Sequence, residues 1–222
     1  MGEEREWNDA ARDDLREQLR SAILGEMRLA KRDHEDILQV CSEVYIEDAP
    51  EAEREEFTQF SAEEIERAAD RQAAERLTWL GETDCDRLDH VEAALQERGI
   101  LLWQASPCCD NCTLSEISDR IAEIDNRAPG FRGRVRGYAF FIDQNLPSEL
   151  ADDIRLHIYL GFGWISPDGS SVGPEDYHKY AVEIGQEVSR CLQDAGFEVD
   201  WSGDLSRKIG VSLNWQRRTM LR

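Results

Sequence analysis

The sequence predicts an α+β protein: a mostly antiparallel sheet of about five strands with helices packed on it, preceded by an α-helical N-terminal region. Three observations carry this. Across residues 1–82 the apolar residues recur at three- and four-residue spacing, with acidic residues between them. Across residues 83–222, helical stripes alternate with short strand-like runs. Those runs follow one another through short connections, which favour antiparallel neighbours. The reading therefore divides the chain into an acidic helical region, 1–82, and an α+β domain, 83–222.

The first helix is expected from about Asn8 to Arg32, with Leu15, Leu19, Ala22, Ile23, Met27 and Ala30 on one stripe. Asp33 caps a second, whose stripe is Ile37, Leu38, Cys41, Val44 and Tyr45. A helix start is read at Asp48, with Pro50 at the first helical position. Ser61 and Glu64 form a capping box that opens a further helix, with Ile65, Ala69, Ala73, Leu77 and Leu80 inward. Small residues dominate these stripes, so each helix alone is marginal. They are expected to pack on each other, on the second half or on a partner chain.

In the second half, Thr83 to Asp86 start a helix that carries Leu88, Val91 and Leu95 and stops at Gly99. Ile100 to Trp103 reads as a buried strand. A second capping box, Thr113 with Glu116, opens a helix with Leu114, Ile117, Ile121 and Ile124 inward. Strands are expected at 136–143 and 154–162, the latter alternating Ile154, Leu156, Ile158 and Leu160 with polar residues. After a loop at 163–173 comes a helix over about 175–195, then strands at 197–201 and 209–215. The helices are expected on one face of the sheet.

Net charge narrows the partners. At −21, with a pI near 4.5, the chain repels nucleic acid and anionic membrane surfaces. A basic protein partner is permitted; solubility alone also accounts for the charge. No apolar run reaches the ~18 residues of a membrane helix. The opening MGEEREWNDAARDD lacks the basic-then-apolar run of a signal peptide. The reading is a cytoplasmic protein, where thiols stay reduced and six cysteines do not imply disulfides.

Half of those cysteines lie in SPCCDNCTLSE, residues 106–116. Cys109 and Cys112 form a C-x-x-C, and Cys108 adds a third thiol. Such a turn can aim its sulfurs at one point, as half of a tetrahedral zinc site does. Thiolates at a helix start are also stabilised by its dipole, which favours reactivity. Zinc wants four ligands, and no second C-x-x-C or H-x-x-x-H occurs. The metal set is therefore read as Cys85, Cys108, Cys109 and Cys112, with His90, His157 and His178 as weaker substitutes. Cys41 and Cys191 sit on apolar stripes and read as buried packing. A redox reading needs a β-α-β setting, and Asp110 beside the thiols is expected to raise their pKa. Plain structural thiols stay open as a third account.

Other residues have simpler readings. Asp84, Asp86 and Asp89 suit helix capping better than a metal site. His157 has no motif tying it to a nucleophile or carboxylate. Gly161-Phe162-Gly163 lacks the Lys-Ser of a phosphate loop and reads as a strand bend. Gln216-Arg217-Arg218 reads as ion pairing near the end of the sequence.

Eight stretches carry a resemblance: TDCDRLD (83–89), ERGI (97–100), CCDNC (108–112), RGYAFF (136–141), LHIYLGFG (156–163), IGQEV (184–188), AGFEVDWSGD (195–204) and KIGVSLNWQRR (208–218). In order and spacing the chain resembles a bacterial domain family of unknown function. The resemblance implies no activity. It places Cys85 in a motif shared with CCDNC, which implies that they meet in space. The family pattern has a His followed by Gln-Asp-Thr-Glu after the two phenylalanines. Here Ile142 to Leu146 stands there, and only Gln144 keeps its place.

These readings converge on a cytoplasmic, non-enzymatic interaction or regulatory domain with a zinc-closed thiol cluster and a protein partner or second copy on its acidic helices. The alternative is a thiol-dependent enzyme or redox sensor using Cys109 or Cys112. A third class is a polar pocket built from Gln144, His157 and Tyr159.

Overall fold

The computed structural model describes residues 7–167 and 169–221; Asp168, within the expected 163–173 loop, lies outside the described residues. The structure is α+β. Among the described residues it holds seven α-helices, α1 (Asp9–Leu29), α2 (His34–Val40), α3 (Glu51–Thr78), α4 (Asp84–Glu97), α5 (Asp110–Arg127), α6 (Leu146–Asp152) and α7 (Pro174–Asp194). Five strands, β1 (Ile100–Ser106), β2 (Gly137–Ile142), β3 (Arg155–Trp164), β4 (Val199–Asp200) and β5 (Ile209–Asn214), form one sheet in the order β1-β2-β3-β5-β4.

The chain forms two compact units. The first takes the residues up to Gly81, then Leu146–Ile154, then the chain from Trp215 on. The second takes Glu82–Asn145 and Arg155–Asn214.

In the first unit, Asn8 caps α1 by accepting the Ala11 N–H, and Asp33 caps α2 through the Asp36 N–H. Leu15, Leu19, Ile23 and Met27 meet Ile37, Cys41, Ile46, Phe57, Ile65 and Ala68 in one core. Each such aliphatic side chain contributes roughly 1.5–3 kcal/mol when fully buried. After α2 the helix widens into a π turn, Cys41–Ile46. That turn shifts the phase, so Ile46 is buried and Val44, expected inward, is 63% exposed. The capping box expected at Ser61 is not a helix start. α3 runs through it, and Ser61 Oγ donates to Phe57 O one turn back. The buried stripe is Phe57, Ser61, Ile65, Ala68 and Gln72, with Gln72 Nε2 donating to Met27 O at 2.7 Å. Ala73 is therefore exposed, and Leu77 and Leu80 are 86% and 91% exposed rather than inward. At 3.6 residues per turn Leu77 has rotated far off that stripe, and Leu80 lies beyond the end of the helix.

Arg12 grips Glu53 through two hydrogen bonds of 2.6 and 2.8 Å, tying α1 to α3. Those bonds hold the Glu53 carboxyl well below the usual range, at about 2. A carboxyl lowered on folding stabilises above its ordinary pKa and loses that contribution as pH falls toward the folded value. Urea stability of the native chain should therefore exceed that of Glu53→Gln above about pH 5, and the two curves should converge by about pH 2. A gap that stays constant across that range would contradict the pairing.

In the second unit, Thr83 and Asp86 form a reciprocal capping box at the start of α4, as the acids there suggested. Gly99 follows α4 with φ 73° and its α-carbon faces the Arg134 carbonyl, so only glycine fits that stop. β1 and β2 pair in parallel, joined through α5, although antiparallel neighbours were expected there. The β2–β3, β3–β5 and β5–β4 pairs are antiparallel. Ile117, Ile121 and Ile124 of α5 pack with Leu101 and Tyr138. Gly137, whose face is opposite that of Tyr138, lies under Ile184 of α7. Helices therefore cover both faces at the β1–β2 end, α5 on one and α4 with α7 on the other. This corrects the expectation of a single covered face.

Candidate metal centre

The CCDNC loop follows β1 and opens α5. Cys108 has φ 62°, a left-handed conformation that non-glycine residues seldom take. Its N–H donates to Asp143 Oδ1 at 3.1 Å, which fixes the turn. Cys109 is extended and serves as the N-cap of α5. Cys112 then falls in the first turn, three residues on, and shares a face with it. Thr113 was expected to cap this helix. It is instead fully buried inside it, and its hydroxyl donates to Ser106 Oγ at 2.9 Å. Ser106 Oγ passes the bond on to Phe141 O, locking the loop to β2. Leu114, expected inward, is 45% exposed.

The result is three sulfurs at one surface point. Those of Cys108, Cys109 and Cys112 lie within 4.8 Å of one another, and Cys109 and Cys112 are 3.5 Å apart. Cys108 is exposed and the other two are half-buried. This cluster could hold a metal ion. Among the described residues no fourth His, Cys, Asp or Glu joins the group. Cys85 is buried on α4 and stands outside it. His90 faces Glu82 at 2.8 Å, and His157 Nδ1 lies 2.8 Å from Ser212 Oγ. Neither belongs to the cluster, nor does His178.

The thiols do not titrate alike. Cys109 is lowered, first by the Cys112 backbone N–H, then by the hydrogen bond with the Cys112 thiol and by the Asn111 N–H. Cys112 is pushed up to about 11, first through its bond to Cys109 and then by Cys108. Asp110 was expected to raise both thiols. Its carboxylate is paired with Lys208 at 2.7 Å, so the helix-start N–H groups govern Cys109 instead. Cys41 is buried, and burial raises its thiol to about 11. Burial also raises Cys191, despite Arg98 Nη1 3.1 Å from its sulfur.

The profile of one protein family, described as "Domain of unknown function (DUF6891)", matches residues 12–219. The chain belongs to this family. No curated protein and no solved structure matches it. Membership carries no activity.

Sequence reasoning missed two contributors. Asp143, which holds Cys108, lies 35 residues further on, and its place follows from the parallel β1–β2 register. Ser212 is set opposite His157 by the β3–β5 register. No local signal announces either. The His157 and Tyr159 rings pack edge to face, with centroids 4.7 Å apart. A hollow of about 310 Å³ on this unit is lined by Tyr159, Asp200, Trp201, Arg207 and Lys208, without Gln144 or His157. The glycines of Gly161-Phe162-Gly163 make room for Phe140 and Tyr138, whose rings lie against them. Arg218 donates to Trp79 O and Gly81 O, and Arg217 sits 5.0 Å over the Trp215 ring. No helix among the described residues is long and apolar enough to cross a membrane.

Proposed function

We propose that this chain is a non-enzymatic interaction or regulatory domain of the cytoplasm, whose loop holds zinc through the thiolates of Cys108, Cys109 and Cys112. The convergence of these three sulfurs within 4.8 Å carries the reading. Two sulfurs that share a zinc at about 2.3 Å stand about 3.8 Å apart. The 3.5 Å between Cys109 and Cys112 is close to that spacing. Thiolate is also the donor soft enough to favour zinc over magnesium or calcium. Three protein ligands leave a fourth position, facing solvent, for water or for a donor from a protein partner. The exposed Leu77 and Leu80 offer apolar contact for such a partner, or for a second copy, on the acidic helical region.

Elemental analysis beside thiol titration, on protein purified without chelator, tests this. About one zinc per chain is expected, with the three loop thiols shielded until the metal is stripped. Cys109→Ser should weaken zinc binding by at least about a hundredfold, since loss of a mere supporting residue already costs 10–100-fold. Cys85→Ala should leave zinc content unchanged. A metal-free chain, or one that loses its zinc through Cys85→Ala, would sink the three-thiolate reading.

A second reading is favoured by one further observation. The Cys109–Cys112 pair, with its thiols pulled in opposite directions, opens the helix of a β1–α5–β2 parallel unit. That is the setting a dithiol redox centre needs. A metal-free protein with one fast-reacting thiol would favour it.

A further inference from the structure

We infer that the loop is a redox-gated metal site, in which a disulfide oxidant closes a bond between Cys109 and Cys112 and thereby expels the ion. The inference rests on the zinc reading above and adds its regulation.

The geometry selects that pair among the three sulfurs. Cys109 and Cys112 are already in sulfur–sulfur contact at 3.5 Å. They are three residues apart, one at the cap and one in the first turn of α5. Residues so spaced stand about 5–6 Å apart at their β-carbons before side-chain rotation, and a disulfide wants about 3.8 Å there. Torsion at a helix end, with no change of fold, can close that gap. Cys108 and Cys109 are adjacent in sequence, and a bond between neighbours is strained. Cys108 is moreover held in its left-handed turn by the Asp143 carboxylate, away from such a bond. It is the exposed member of the three, and the other two are half-buried, so a small oxidant can reach the site. The remaining cysteines, Cys41, Cys85 and Cys191, are buried and cannot compete.

The step balances with a low-molecular-weight disulfide, R–S–S–R, as the oxidant. The sulfur of Cys109 displaces one R–S⁻ and forms a mixed disulfide. The sulfur of Cys112 then attacks that of Cys109, releasing the second R–S⁻. Two protein thiolates are oxidised to one disulfide, and R–S–S–R is reduced to two R–S⁻, which take up protons from water. Of the three ligands only Cys108 keeps a free thiolate, and one thiolate cannot hold zinc against water. A dithiol reductant reverses the exchange and restores the set.

The test uses the full chain loaded with zinc and treated with oxidised glutathione. Released zinc is read with a chromophoric chelator, and the disulfide is mapped by mass spectrometry of peptides. One zinc released per Cys109–Cys112 bond, reversed by dithiothreitol, is expected. Cys108→Ser should form the same bond while binding zinc at least about a hundredfold more weakly. Cys112→Ser should stop at the mixed disulfide, with one glutathione attached. A chain that binds zinc but retains it after that bond forms, or that bonds Cys108 to Cys109 instead, overturns the gate and leaves the zinc reading standing. A chain that binds no zinc at the outset overturns both.

Discussion

Gly25→Ala is expected to destabilise the first unit by about 3 kcal/mol or more, the reverse of what helix propensity predicts. In an exposed helix interior the same change stabilises by about 1 kcal/mol. Gly25 lies in the C-terminal part of α1, where α6 crosses it. A β-carbon at this position would run into the carbonyl oxygen of Pro147. The obstacle is backbone, so no side chain can swing aside. α1 and α6 would have to separate, drawing the buried Leu146 and Leu150 with them. Arg28, one turn further along α1, would also lose its 2.6 Å bond to the Leu150 carbonyl. Denaturant titration by circular dichroism checks this against Gly133→Ala, where the nearest atom is 3.9 Å away. The control should stay within about 0.5 kcal/mol of the native chain. If Gly25→Ala matched the control, the close crossing of α1 and α6 would be wrong.

Trp215→Ala is the second large effect, with an expected loss of about 3–5 kcal/mol. The side chain is 1% exposed, and its indole Nε1 donates to Arg28 O at 3.0 Å. Its backbone N–H donates to Ile154 O at 2.6 Å, so this one residue ties two separate chain segments of the first unit together. Arg217 loses its aromatic platform in the same change. Trp215→Phe separates the two contributions. It keeps most of the apolar volume but leaves the Arg28 carbonyl without the indole donor, at a cost of about 1–3 kcal/mol. Equal losses for Ala and Phe would show that the hydrogen bond, not the packing, dominates.

Much of this fold was legible because local and tertiary demands agree. Thr83 with Asp86, the stop at Gly99, the span of α7 and the alternation in β3 all follow from period and capping chemistry. The misreadings have physical causes. A π turn adds one residue per turn, and no local pattern distinguishes CSEVYI from an ordinary helix, so Val44 and Ile46 exchanged faces. Ser61 with Glu64 fits a capping box, but without a glycine or proline to break α3 the serine bonds backward along the helix. The same ambiguity in Thr113 hid the start of α5, and with it the inclusion of Cys112 in the first turn. α6 is only seven residues long and shows little period. At the site, the C-C-x-x-C spacing alone announced the three converging sulfurs. It could not announce Asp143 or the capture of Asp110 by Lys208, because both depend on how distant segments align.

The first unit is written in three instalments. Its helices up to Gly81 leave the ribosome early, yet α6 arrives some tens of residues later and Trp215 only after β5. At about 5–20 residues per second, the interval between Gly81 and Trp215 is on the order of ten seconds. Until each arrives, α1 stands without α6 and without the Trp215 indole on its Arg28 carbonyl. Net negative charge opposes association between partly made chains in that interval.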